Sequence, residues 1–488
     1  MKALFLSFFI IISFSSLEQV NGLVQGNNGT KTEPLYGAKI KLLKAKKGVV
    51  TGEQGLFEII LPKDLPDTMV ISARGYFSDT LVVNRQDRFL ALNVVLFSEL
   101  LLPEVIVEFK RKSFSISRLK VLHVEELTSG ELKKAACCNL GESFETNASV
   151  DVNITDAVSG AKKIQMMGLD GVYTQIQFEN IPYLRGLESS FGLESIPGSW
   201  IESIQITKGA GNVVNGYESM AGLINLEFEK PAEMDLFYLN AYQNRMGRSE
   251  LNFRSGIELS EKWSTGIFGY VSSVWLENDE NNDGFRDIPL GSNASFVNRY
   301  AFKGDKMEAK FGINAHTDTK MGGQIGTTIE NTPNTGYGVN LNNDHIDIFA
   351  KSGFFGKKPS QSLGFIANLK YQRLDGFFGT RFYSGIEKRG YINMIYDDYI
   401  GTTDHRVQGG ASFTYIDIKQ AADSLTNDRI EIIPGVFGEY TYTGPRLTSV
   451  LGARYDQHLL YGGQFSPRVH LKYKVSERTD FRITSGKG

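Results

Sequence analysis

The 488-residue sequence is nearly devoid of cysteine, with 2 residues, the adjacent Cys137 and Cys138. A disulfide framework is thereby excluded as the main staple of the fold. Beyond the first twenty positions there is no apolar run of about eighteen residues, so no helical membrane span is expected. Its 52 Lys+Arg nearly balance its 55 Asp+Glu, leaving a net charge of −3 and no electrostatic reason to invoke nucleic acid. The 6 histidines, His123, His316, His345, His405, His458 and His470, are scattered, and no His-x-x-Glu zinc pair occurs. No Ser/His/Asp order or paired-acid motif is recognisable either, so no enzyme class is indicated and no cofactor is required.

What the sequence holds instead is 51 Gly, 21 Tyr and 32 Phe, the composition of an aromatic-rich β protein. Lys2, the apolar run Ala3 to Phe14 and the small residues Ser13, Ser15 and Ser16 have the order of a secretory signal, assigned to residues 1–20. Residues 21–98 alternate short apolar runs with turns, as in Lys39-Ile40-Lys41-Leu42 and Met69-Val70-Ile71-Ser72, which predicts a β-sandwich. From 232 to 488 the alternation lengthens. Leu251, Phe253, Ile257 and Leu259 share one face and Asn252, Arg254 and Glu258 the other; Phe365, Ala367, Leu369 and Tyr371 repeat the pattern, as do Val469, Leu471, Tyr473 and Val475. An apolar face toward lipid and a polar face toward a lumen is the pattern of a transmembrane antiparallel β-barrel. Trp263 and Trp275 have equal parity, and twelve residues of tilted strand rise roughly 30 Å, enough to place them in two aromatic girdles. A soluble β-sandwich would alternate as well, but with strands of about five or six residues.

Between these regions lies Ile201-Glu202-Ser203-Ile204-Gln205-Ile206-Thr207-Lys208-Gly209, continuing through Gly216, Tyr217, Gly222 and Ile224-Asn225. The spaced isoleucines suit a half-buried strand, the glycines a reversal at positive φ, and Leu223, Ile224 and Leu226 a returning strand. The stretch resembles the closing segment of the plug of TonB-dependent outer-membrane receptors, with Ile201, Glu202, Ile204, Lys208, Gly209, Gly216, Gly222, Ile224 and Asn225 at its fixed positions. The resemblance implies a small α+β plug over 115–231, with Asn139-Leu140-Gly141-Glu142-Ser143-Phe144 as its early helix. Glu125-Glu126-Leu127 is expected to begin another short helix. Met167 stands where many relatives have an arginine, which puts any role of that arginine in doubt. Residues 21–98 look like the carboxypeptidase-regulatory-like domain that precedes the plug in receptors of Bacteroidetes-like bacteria. In the linker 99–114, Glu104-Val105-Ile106-Val107 resembles a TonB box, which pairs edge to edge with a strand of the TonB protein.

On this resemblance the chain is mainly β, with an N-terminal sandwich, a plug and a partial barrel. It implies residence in outer-membrane lipid, a partnership with the TonB-ExbB-ExbD complex, and uptake of a small extracellular ligand, a ferric siderophore or other metal chelate. A SusC-like glycan importer, a cobalamin or copper receptor, and a soluble β-sandwich adhesin are the alternatives. Residues 232–488 hold room for ten to twelve strands, against about twenty-two in plugged transporters, so the chain is expected to be truncated within the barrel. Two weaker metal candidates complete the reading. Asp279, Asn281, Asp283 and Asp287 follow a calcium-loop spacing with Gly284 at the sixth position, but Leu290 occupies the twelfth. Cys137 and Cys138 offer a strained disulfide, buried thiols or soft-metal ligands.

Overall fold

The computed structural model describes residues 19–28, 31–84, 91–98, 114–116, 121–134, 139–144, 147–327, 336–356, 358, 360–476 and 479–488. The signal segment up to residue 18, the TonB-box residues Glu104, Val105, Ile106 and Val107, and the Cys137–Cys138 pair lie outside the described residues. Two compact units result: Met1–Val107 with Tyr399–His405, and Glu108–Asp398 with Arg406–Gly488. Among the described residues no helix is long and apolar enough to cross a membrane.

The first unit is a sandwich of two four-stranded sheets. In one, Gln19–Asn27 pairs antiparallel with Leu56–Ile60 and parallel with Leu92–Phe97. In the other, Lys39–Leu42 lies between Gly48–Val50 and Asp67–Ser72. Alternation along each strand sends Val20, Val24, Ile40, Leu42, Met69, Ile71 and Leu96 into one core. Gly55 turns at φ 72°, where an added Cβ would stand 2.5 Å from the Val24 carbonyl oxygen.

The second unit begins with the plug. Its six-stranded mixed sheet runs, in spatial order, Ile181–Pro182, Thr174–Phe178, Gly222–Phe228, Ile201–Lys208, Val124–Thr128 and Phe114–Ile116. A three-stranded sheet, Val150–Asp156, Ala161–Met166 and Leu169–Asp170, and the short helices Ser129–Lys134 and Leu140–Ser143 complete it. Asn139 caps the second helix, its side-chain oxygen accepting from the Glu142 N–H at 3.1 Å. Glu125-Glu126-Leu127 is strand, not helix: Val124–Thr128 pairs with Ile201–Lys208, with Leu127 opposite Ile204. Pairing with a buried strand overrides the local helical preference of the two glutamates.

The remainder forms one 14-stranded antiparallel sheet, from Tyr238–Gln243 to Thr479–Gly486, in which each strand pairs with the next in sequence except that the two-residue Leu425–Thr426 sits off the path and His405–Ala422 pairs with Arg429–Thr443. The spacing estimate of ten to twelve strands is too low because several turns are tight; Phe378 and Arg381, for instance, pair across a two-residue turn. Strand lengths reach 19 residues in Arg381–Tyr399, far beyond the usual sandwich strand. Burial on this sheet is inverted relative to a soluble protein. Phe365, Leu369 and Tyr371 are exposed at 37%, 65% and 42%, while Asn368, Lys370 and Gln372 on the other face are buried. Leu251, Ile257, Leu259, Val469, Tyr473 and Val475 are likewise exposed, and Asn252, Arg254, Arg468 and His470 buried. Trp263 opens the strand Trp263–Val274 and Trp275 follows it, both exposed, with Trp263 packed on Phe302 at 4.9 Å between ring centroids.

Candidate functional site

The plug packs against the polar face of the long sheet, hereafter the wall. Its core centres on the hairpin of Ile201–Lys208 and Gly222–Phe228, whose registered pairs include Ile204 with Leu226 and Ile206 with Ile224. Ile201, Ile204, Ile206 and Ile224 are at most 1% exposed. Trp200 packs on Phe228 at 5.8 Å and on the wall residue Phe268 at 5.5 Å, so one aromatic cluster is shared by plug and wall. Gly209 and Gly216 sit at φ 78° and 108°, where a side chain would be strained. At Gly222 an added Cβ would collide with Met166 Sδ and stand 2.8 Å from the Thr207 carbonyl oxygen.

The polar positions of the same motif are structural ties. Lys208 Nζ lies 2.7 Å from Glu125, and Ser149 donates to the same carboxylate at 2.6 Å. Burial would raise the Glu125 carboxyl, but the bonds from Lys208, Ser149 and His123 outweigh it and hold it below the usual range. Glu202 faces Lys230 at 3.7 Å, at a bulge in the hairpin. Asn225 accepts from the Asn180 N–H at 2.8 Å. Met167 occupies a tight turn at φ 54° before Gly168 at 76°, with 62% of its surface exposed, so the residue standing in the arginine position points away from the plug core.

Most of the ion pairs that join plug to wall share one polarity, acid on the plug and base on the wall. Glu179 meets Arg299 at 2.5 Å and Lys351 at 3.9 Å; Glu188 meets Lys370 at 2.6 Å, with the His345 ring 3.4 Å away. Glu142 meets Arg248 at 2.6 Å, Glu229 meets Arg254 at 2.7 Å, and Glu194 pairs with Lys320. Burial disfavours the charged form of Glu188, yet His345 and Lys370 beside it hold its carboxyl at about 2. Glu179 and Glu194 are also held low against burial, by Arg299 and by Lys320 respectively. Three further wall arginines grip plug backbone: Arg468 donates to the carbonyls of Gly211, Asn212 and Tyr217 at 2.7 to 3.0 Å, Arg454 to Val213 and Arg389 to Tyr183, each at 3.3 Å.

Among the described residues, cavities lie between plug and wall. One of about 370 Å³ is lined by Tyr183, Arg185, Glu218, Glu387, Arg429 and Glu431 among others. Another of about 390 Å³ is lined by Glu142, Lys162, Glu194, Arg248, Asp318 and Lys320 among others. Both mix charged with apolar lining and have room for a small ligand.

The calcium-loop residues sit together in one turn, but their carboxylates are turned on the backbone: Asp279 accepts from the N–H groups of Asp283 and Gly284 at 3.0 Å, and Asp287 from Glu280 at 2.8 Å. Among the described residues no group of three or more His, Cys, Asp or Glu is arranged to hold a metal. Sequence reasoning missed the plug carboxylates Glu179, Glu188 and Glu194. Their one legible trace was the set of bases on the polar face of otherwise apolar-alternating strands.

The sequence pattern described as TonB-dependent Receptor Plug Domain matches residues 121–223. No protein of curated function matches the chain. Solved structures that match include the ferric enterobactin receptor PfeA of Pseudomonas aeruginosa, at TM-score 0.58 and 13% identity over 74% of this chain and 61% of that one. The siderophore receptor PirA of the same species matches at 0.55 and 14%, over 74% and 61%. FpvA of P. aeruginosa, solved with heterologous pyoverdines, matches at 0.62 and 12%, over 76% and 57%. The chain thus spans about six-tenths of the length of the receptors it matches. With its plug at 121–223 seated on a large antiparallel β-sheet, the chain has the domain and the fold of a TonB-dependent receptor.

Proposed function

We propose that the protein is an outer-membrane receptor that imports a scarce extracellular solute, a ferric siderophore or other metal chelate, by TonB-dependent transport. The observation that carries this reading is a plug sheet held on the polar side of an inverted wall by buried ion pairs, an attachment that is strong at rest yet reversible without breaking covalent structure. The exposed apolar face supports a seat in lipid over a soluble adhesin. In this reading Glu104-Val105-Ile106-Val107 is the strand offered to TonB, driven by ExbB and ExbD, and pulling on it moves the plug. The likeness to enterobactin and pyoverdine receptors supports a chelate as cargo. The test is uptake of radio-iron chelates by cells whose own copy is deleted and replaced. Replacing residues 104–107 by Gly-Ser should leave chelate binding at the cell surface and abolish accumulation; accumulation that survives this change would refute TonB dependence.

A further inference from the structure

We propose that the wall carries an anion track, masked at rest by plug carboxylates, and that the solute moved past the displaced plug is therefore a multiply anionic one. This rests on the transport reading above and narrows its substrate class.

The argument starts from the polarity of the interface. In every pair joining plug to wall described above, the acid belongs to the plug and the base to the wall; the reverse order occurs in Arg185 with Glu431, at 3.9 Å. Arg254, Arg299, Lys351 and Lys370 face carboxylates that all lie outside the sheet, on Glu229 and Asp235, Glu179 and Glu188. These bases are not scattered. Register places Lys370 beside Arg389, and Lys310 beside Lys351, on a run of neighbouring strands that also carries Lys320 and Arg299. From Lys320 to Lys310 along the strand Met307–Gly323 the rungs cover about 33 Å of chain, or roughly 25 Å of membrane depth at the usual tilt.

The wall's own acids offset this ladder only in part: Asp318 lies 3.9 Å from Lys320, Glu387 lies 3.8 Å from Arg389, and Asp347 stands in register beside Lys370, while among the described residues Arg299 and Lys351 pair with the plug's Glu179 and with no wall carboxylate. When the plug withdraws Glu179 and Glu188, Arg299, Lys351 and Lys370 lose their facing carboxylates along the path that opens. A row of bases without facing acids makes that path locally positive, so an incoming anion that takes over those contacts is drawn to them. Rings or rows of Arg and Lys are how pores favour anions. A cation or a neutral glycan would gain nothing from these rungs.

The full chain reconstituted in planar bilayers, with the plug loosened by Glu179→Gln and Glu188→Gln, tests this in a potassium chloride gradient. The expected result is a chloride-to-potassium permeability ratio of about threefold or more, falling toward one when Arg299→Gln and Lys370→Gln are added. The neutral quadruple variant also guards against misfolding, because it removes Glu179 and Glu188 together with the bases nearest to them, Arg299 and Lys370. A pore that is unselective or favours potassium overturns the anion track while leaving transport standing. Absence of any pore in both variants overturns the track and the transport reading together.

Discussion

Glu188 is where charge and attachment are most tightly coupled. Its folded value of about 2 lies below its ordinary 4.5, so the stabilisation it gives to plug docking is complete above about pH 4.5 and is lost as pH falls through about 2. Protease sensitivity of the plug should therefore rise across that acid window, and Glu188→Gln should flatten the rise; an unchanged profile would show that the carboxylate does not hold the plug. Removing the base instead strands the acid. Lys370→Met should weaken plug docking by about 3–5 kcal/mol, and the pair Lys370→Met with Glu188→Leu by much less, a difference that a double-mutant cycle in urea reads directly. Gly222 is limited by space alone: Gly222→Ala pushes a methyl against Met166 and the Thr207 carbonyl, with an expected loss of about 1–3 kcal/mol in urea denaturation.

At the scale of elements, the hairpin and the wall were legible because their information is local. Ile201, Ile204 and Ile206 announce a strand, Gly209 and Gly216 the reversal, and the two-residue period of Phe365 to Tyr371 a sheet with one apolar face. The strand at Val124–Thr128 was not legible, since its two glutamates and single leucine carry no period and only Ile201–Lys208 beside it decides the outcome. Turn lengths were unreadable for a similar reason, so the strand count came out low. The wall makes a prediction of its own. Leu369 is 65% exposed in the middle of Ser362–Phe378. In lipid, Leu369→Arg should cost about 2–4 kcal/mol, whereas on a watery surface it would change stability by less than about 0.5 kcal/mol. Urea titration in lipid vesicles separates the two.

For the molecule as a whole, what the sequence could not reveal is the mating of plug and wall. Glu188 and Lys370 are 182 residues apart, and no local pattern assigns one to the other. The same separation governs how the protein comes together. The wall pairs largely neighbour to neighbour, through connections that range from the tight Phe378–Arg381 turn to the long segment between Val274 and Leu290, whereas the plug's anchoring contacts close far larger loops and depend on bases scattered over several hairpins. In a chain whose wall formed before its plug docked, Arg299 and Lys370 would stay hydrated until their acids arrived. On the transport reading such a chain would present the cell with an open, charge-lined hole, which makes the order of assembly a matter of permeability as well as of folding.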